Sequence, residues 1–173
     1  IILNMCSIVA SNLNETETIV NWLKQEHLWQ YVSPLEKELF SGNIEDDIHL
    51  ASFSWQIESS YTLAWALNLV DVLHPPISCI NEDQFAVFED LLPKYDAKLG
   101  SYLDNLNLRE KGEIFEENLL NELATSYFRD LTFNKKENSS DIDRYVSFQR
   151  HKVLNWVRRL GDITDWDDTD TST

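Results

Sequence analysis

Trp55-Gln-Ile-Glu-Ser-Ser-Tyr-Thr-Leu-Ala-Trp-Ala-Leu-Asn-Leu-Val-Asp-Val-Leu73 is the stretch on which the fold turns. It holds no Gly or Pro, and His74-Pro75-Pro76 stops it. Trp55, Ser59, Thr62, Leu63, Ala66 and Val70 make one helical stripe, while Ile57, Tyr61, Trp65, Leu69 and Val72 fill much of the remaining circumference. A helix apolar on nearly every side belongs at the centre of a domain, and at about 1.5 Å per residue this one would span roughly 28 Å. Gln56, Glu58, Asn68 and Asp71 make it too polar for a membrane span.

Amphipathic segments with start and stop signals flank it. Ile1, Ile2, Met5, Ile8 and Val9 share a face that fades by Asn12, and Asn14 with Glu17 reads as a capping box for a second helix burying Ile19, Trp22 and Leu23. Ser33-Pro34-Leu35-Glu36 combines a Ser N-cap, Pro at the first helical position and Glu at the third; Gly42 marks the stop, and Leu35, Leu39 and Phe40 are expected to face inward. A short helix is expected over 44–53. Asn81 with Gln84 opens another, with Phe85, Phe88, Leu91 and Leu92 on one face. From Leu108, the recurrence of Ile114, Leu119 or Leu120, Leu123 and Tyr127 to Leu131 predicts a long helix packed on that face, ended by the polar run 134–139. Ser140 and Asp143 signal the last start; Val146, Val153, Leu154, Val157 and Leu160 line that helix, with Gly161 expected as its left-handed cap. The tail runs over 162–173. The segments predict one all-α domain of about six to eight helices around Trp55 to Leu73.

Composition agrees with that class. One chain of 173 residues, 43% hydrophobic, is long enough for a single core and short for two. Four Gly and four Pro suit long helices with short turns. A formal charge of −16 repels phosphate backbones and anionic lipid, so nucleic acid and membrane surfaces are poor partners and a basic protein is an easier one. Cys6 and Cys79 lack CxxC spacing and read as reduced thiols of a cytoplasmic protein.

Three stretches taken in order resemble a known family. They are Trp55, Glu58 and Leu63-Ala64-Trp65-Ala66-Leu67; Leu108-Arg109 with Glu113-Ile114; and Arg150-His151 with Leu154-Asn155-Trp156, followed by Asp165-Trp166-Asp167-Asp168 and Asp170-Thr171. Together they resemble the bacterial domain of unknown function 4272, over most of the chain, with the C-terminal pair the most specific part. The tail here is one residue shorter between Asp168 and Asp170 than the family pattern. The resemblance also implies an Asp and then an Arg after the Glu-Ile pair, where this chain has Asn118 and Glu122, and an aromatic near Thr125. It brings no established activity.

The candidate polar cluster is therefore Glu58, Arg109, Glu113, Arg150, His151 and Asn155. Glu58 lies on the most buried helix, and an unpartnered buried charge costs several kcal/mol, so it is paired, protonated or lining a cavity; Arg150 or Arg109 is the natural partner. Arg150 and His151 point about 100° apart on a helix, whereas Asn155 shares the face of His151. Trp166, Asp167, Asp168 and Asp170 read as a C-terminal clasp, an indole plugging a groove while carboxylates accept backbone N–H groups at helix starts. His27, His49 and His74 have no ligand spacing, and no nucleophile elbow, phosphate loop or HExxH is present. No metal or cofactor is expected. The leading functional expectation is a non-catalytic protein-binding or regulatory module, with an immunity-like protein covering a basic surface as one form. The alternative is an enzyme or small-ligand receptor in which the cluster converges on a partly solvated cavity.

Overall fold

The computed structural model describes residues 1–44, 46–162 and 164–172; Glu45 of the expected 44–53 helix, and Ile163 and Thr173 of the tail, lie outside the described residues. The described residues form nine α-helices and no strand: α1 (Ile2–Ser11), α2 (Thr16–Gln25), α3 (Pro34–Phe40), α4 (Asp47–Ser54), α5 (Gln56–Ala66), α6 (Glu82–Leu91), α7 (Gly100–Asp104), α8 (Lys111–Asn134) and α9 (Arg144–Val157). The all-α reading holds, with the five-residue α7 arising in a stretch whose periodicity was too weak to assign.

Helix α5 is the centre, and nine of its eleven residues are buried. It packs against α1 on one side and α9 on another. Small side chains at Ser59, Ser60, Thr62, Ala64 and Ala66 let those neighbours approach closely, and large ones at Tyr61 and Trp65 fill the gaps between them. The helix is shorter than the apolar stretch that announces it. Asn68 takes the left-handed conformation with φ at 57°; its N–H bonds the Trp65 carbonyl at 3.0 Å, and the Leu69 N–H bonds that of Ala64 at 2.9 Å. These two bonds are a Schellman stop, for which Asn is the best residue after Gly. Leu69, Val70 and Leu73 continue the apolar pattern from an irregular segment and still pack on the core, which is why periodicity overran the helix end.

The core has three parts, two of them built on α5. Met5, Cys6, Val9, Ile19, Leu23 and Phe53 belong to one formed by α1 to α4. Trp65, Ile114, Val153, Leu154 and Trp166 belong to a second between α5, α8, α9 and the tail. Tyr61 and Phe88 meet edge-on, ring centres 5.5 Å apart, in a third under α6.

Local signals had mixed fates. The Ser33–Glu36 and Asn81–Gln84 capping boxes are both formed, and Gly42 ends α3 with φ at 69°. The expected Asn14–Glu17 box is not: the Asn12 side chain accepts from the Asn14 N–H, a 3₁₀ turn intervenes, and α2 starts at Thr16. Asp143, not Ser140, caps α9, its Oδ1 accepting from the N–H groups of Tyr145 and Val146. Arg159 rather than Gly161 takes the first left-handed position after α9, with Gly161 two residues on. Leu35 and Leu160 lie on the outside.

The largest correction concerns α8. Its buried face is Ile114, Asn118, Asn121, Ala124, Thr125, Phe128 and Leu131, so four of the seven are polar or small. Leu119, Leu120 and Leu123, expected inside, are exposed. Among the described residues α8 makes its extensive contacts with α9, and Arg158 at the end of α9 reaches round to set its guanidinium 4.9 Å from the Phe115 ring centre.

If Asn68 is the stop of α5, Asn68→Val should destabilise the protein by about 1–2 kcal/mol, because a β-branched residue is strained at positive φ. Asn68→Gly should stay within about 1 kcal/mol of wild type, having lost the side-chain bond from Nδ2 to the Asn107 carbonyl but no backbone freedom. Urea denaturation of the two variants measures the difference.

Candidate functional site

Asp143 fixes the start of α9, and from there Arg150 falls on the face toward α5 while His151 and Asn155 fall on the flank toward α8. Arg150 Nε donates to Glu58 Oε1 at 2.8 Å, with both side chains buried. Glu58 Oε2 accepts from the Ile80 N–H at 3.2 Å and the Cys79 S–H at 3.4 Å. Arg150 Nη1 donates to the His74 carbonyl at 2.7 Å and lies 3.7 Å from Glu117 Oε1 on α8. The Asp143 N–H adds a 2.7 Å bond to the Pro76 carbonyl. One ion pair thus ties α5 to α9 and holds the loop of 74–80 against both.

Glu117 carries the polar contacts along α8. Its Oε1 and backbone carbonyl each accept from Asn121 Nδ2 at 2.8 Å. Beside it lies a second group in which His151 Nδ1 donates to Thr125 Oγ1 at 3.1 Å, and the Thr125 hydroxyl passes its own proton to the Asn121 carbonyl at 2.8 Å. His151 Nε2 accepts from Asn155 Nδ2 at 3.0 Å, and Asn155 Oδ1 accepts from Asn118 Nδ2 at 2.9 Å. The imidazole is therefore neutral with its proton on Nδ1, and burial holds its pKa below the ordinary histidine value. Asn118 Oδ1 and Asn121 Oδ1 are buried without a donor. The α8–α9 interface is in effect a polar seam, closed over by apolar residues at its edges.

Of the expected cluster, Glu58, Arg150, His151 and Asn155 lie in or on this seam. Arg109 and Glu113 do not. Arg109 caps the far end of α5: Nε donates to the Trp65 carbonyl at 3.0 Å, Nη2 to that of Val70 at 2.9 Å, and its backbone N–H to that of Ala66 at 2.8 Å. Its guanidinium also sits 4.8 Å from the Trp65 ring centre and pairs with exposed Glu113 at 3.0 Å. It thus satisfies the Ala66 carbonyl that the Schellman stop leaves over, adds a second donor to that of Trp65, and ties down Val70 in the segment beyond.

Glu117, Asn121 and Thr125 were the residues not anticipated as a group. Their signal was Ile114, Asn118, Asn121, Thr125 and Phe128, a helical stripe hidden by a more apolar one on the other face. Of the positions at which the resemblance implies other residues, Asn118 and Thr125 are in the seam, while Glu122 is half-buried at its margin.

The tail closes the arrangement. Trp166 is buried, meets Trp156 edge-on with ring centres 6.1 Å apart, and has Lys152 Nζ 4.3 Å from its ring centre. Asp167 Oδ2 accepts from the Leu35 N–H at 2.9 Å and Oδ1 from the Ser33 hydroxyl at 2.7 Å, adding a carboxylate to the start of α3. Asp168 is exposed and Asp170 contributes its carbonyl, which accepts from Asn155 Nδ2 at 2.9 Å. Next to Asp167, burial raises the Glu36 carboxyl above its ordinary value and lowers the Lys152 ammonium below its own.

Two concavities adjoin these elements. A cleft of about 260 Å³ is lined by Tyr61, His74, Ile77, Ile80, Gln84 and Arg150. A groove of about 580 Å³ is mostly apolar, with Leu63, Leu67, Leu103, Leu106 and the two indoles of Trp156 and Trp166 on its walls. Only Arg150 of the expected cluster reaches either one. Burial and the Glu58 charge push the Cys79 thiol up to about 12, far from a thiolate at neutral pH. Among the described residues no group of three or more His, Cys, Asp or Glu is placed to hold a metal ion, and no helix is long and apolar enough to cross a membrane.

A family model, the domain of unknown function DUF4272, matches residues 1–169. The chain belongs to that family. No curated protein and no solved structure matches it. Family membership assigns no reaction to Glu58, Arg150, Asn155 or the tail motif.

If the buried pair acts as a structural tie, Arg150→Met alone should destabilise by about 3–5 kcal/mol, because it strands a buried carboxylate. Glu58→Leu with Arg150→Met should recover at least half of that loss. A double-mutant cycle by chemical denaturation checks the sign: a double variant no more stable than the single one would show that the charges themselves are needed.

Proposed function

We propose that this member of the DUF4272 family is a non-catalytic protein-binding module of the cytoplasm, and that the outer face of α8 is its docking surface for a basic amphipathic helix. The observation that carries the reading is the inverted amphipathicity of α8. Phe115, Leu119 and Leu123 follow one another at four-residue spacing and are 48%, 39% and 60% exposed, with the Arg158 guanidinium from the end of α9 over the Phe115 ring at one end of the row. Three large apolar residues in line, over about 12 Å of helix, form a patch of the kind that marks interaction sites rather than scattered surface.

Charge selects the partner. Between Gly112 and Phe128 the helix has four glutamates and no Lys or Arg. Glu116 and Glu122 lie about 60° to either side of the Leu119 meridian at 100° per residue, so the ridge is bordered by carboxylates on both flanks. A helix with a leucine stripe between lysines or arginines complements that pattern, in the helix-in-groove manner of recognition. A second copy of this chain does not, since it would set glutamates against glutamates in a molecule already at −16. The seam residues support a non-catalytic role because their hydrogen-bonding groups are largely consumed by one another.

The test uses two synthetic peptides with the same leucine stripe, one flanked by lysines and one by glutamates, titrated by calorimetry. The lysine peptide should bind, weaken as salt rises, and lose at least tenfold in affinity against Leu123→Glu, with the helical circular dichroism of that variant unchanged. The glutamate peptide should not bind. Equal binding of both peptides, salt-insensitive binding, or a Leu123→Glu variant that binds as wild type would overturn the reading.

A further inference from the structure

We propose that His151 and Asn155 form a proton-operated latch that holds the C-terminal strap, residues 169–172, on α8 and α9 and releases it on acidification. Asn155 Nδ2 is the joint of the latch. It supplies both of its hydrogens, one to His151 Nε2 and one to the Asp170 carbonyl, while Oδ1 accepts from Asn118. The orientation of this amide is thus set by His151 being an acceptor at Nε2. His151 Nδ1 has no freedom to change that, because its partner Thr125 has already given its hydroxyl proton to the Asn121 carbonyl.

Protonation makes Nε2 a donor facing a donor. Turning the Asn155 amide by half a rotation relieves the clash, with Oδ1 now accepting from His151. The turned Nδ2 then meets Asn118, whose buried Oδ1 has no donor in the neutral state and gains one when that side chain turns as well. The chain of amides therefore has two arrangements, each with its bonds along the chain made. They differ at the strap: in the turned arrangement the Asn155 oxygen faces the Asp170 carbonyl, and two acceptors repel where a hydrogen bond had been. The bond from Arg129 Nη2 to the Thr171 carbonyl at 2.6 Å is then left to hold the strap from an exposed position.

Charged groups facing His151 come from three elements. Glu122 and Arg129 are on α8, Arg158 caps the end of α9 and Asp170 is on the strap, with Glu122 and Asp170 favouring the imidazolium and Arg129 and Arg158 opposing it. The two signs oppose one another, so burial dominates and the folded value lies below the unfolded value of about 6.5. The sign follows from linkage: the group's contribution to stability is complete above about 6.5 and is lost as pH falls from there toward the folded value, because the unfolded chain binds the proton first. The latch is closed at neutral pH and opens in acid.

Nuclear magnetic resonance of the intact chain tests this from pH 7.5 to 4.5, following His151 by its ring carbon shift and the strap by backbone order parameters. Values for 169–172 should fall from about 0.85 to below about 0.6, with the same midpoint as His151. His151→Gln, whose amide oxygen accepts from Asn155 at every pH, should keep the strap ordered throughout. The latch is overturned if His151 protonates and the strap stays ordered, or if the strap loosens in His151→Gln over the same range. Should that variant not fold, the wild-type midpoints decide by coinciding or not.

Discussion

The buried pair of Glu58 and Arg150 is the constraint on which the rest of the structure depends. Taking a carboxylate and a guanidinium out of water is costed at several kcal/mol each, and their attraction offsets this only when every remaining lone pair and N–H finds a partner nearby. Glu58 accepts three hydrogen bonds, and Arg150 adds the His74 carbonyl to its carboxylate. Those partners lie on α5, α9 and the loop of 74–80, so satisfying the charges fixes all three segments relative to one another. An apolar pair of similar volume could match the stability, but it would not specify register, since apolar contacts are non-directional. The same logic runs along the seam, where Glu117, Asn121, Thr125, His151 and Asn155 give α8 one rotational setting on α9.

That setting has a consequence for the surface. Because α8 turns Asn118, Asn121 and Thr125 inward, Leu119, Leu120 and Leu123 must point outward. A helix chosen by hydrophobicity alone would sit the other way round. The fold gives up the burial of Phe115, Leu119 and Leu123, each worth about 1.5–3 kcal/mol if fully enclosed, in favour of directional bonds along the seam. An apolar ridge retained at that expense on the longest helix is the strongest surface feature of the molecule.

How much of this was legible follows from which signals are local. Capping boxes at Ser33 and Asn81 were readable because the two residues that make each box are three apart and need nothing else. The all-α class and the centrality of α5 were readable because burial on every side leaves an unbroken apolar record. The end of α5 was not, because Leu69, Val70 and Leu73 stay buried after the helix has stopped, and a period of 3.6 cannot distinguish a buried helix from a buried irregular segment. That Glu58 needs a basic partner could be argued from the cost of burying it, but cost alone left Arg150 and Arg109 both open. The facing of α8 could not, since it depends on partners in α9 more than twenty residues away, and the leucine stripe was the louder of two signals. Arg109 was grouped with Glu58 by charge although its task, satisfying the carbonyls at the end of α5, exists only once that end is known.

The account's central claim is that the seam specifies the fold and leaves the outer face of α8 free for another molecule. Thermal unfolding of two alanine sets tests it most directly, one at Glu58, Arg150, Asn118 and Asn155, the other at Phe115, Leu119 and Leu123. At about 2–4 °C per kcal/mol for a domain of this size, seam variants at the ion pair should lose roughly 6 to 20 °C, while each ridge variant should stay within about 2 °C of wild type. Ridge variants that melt as early as seam variants would contradict the claim, because the leucines would then be part of the core.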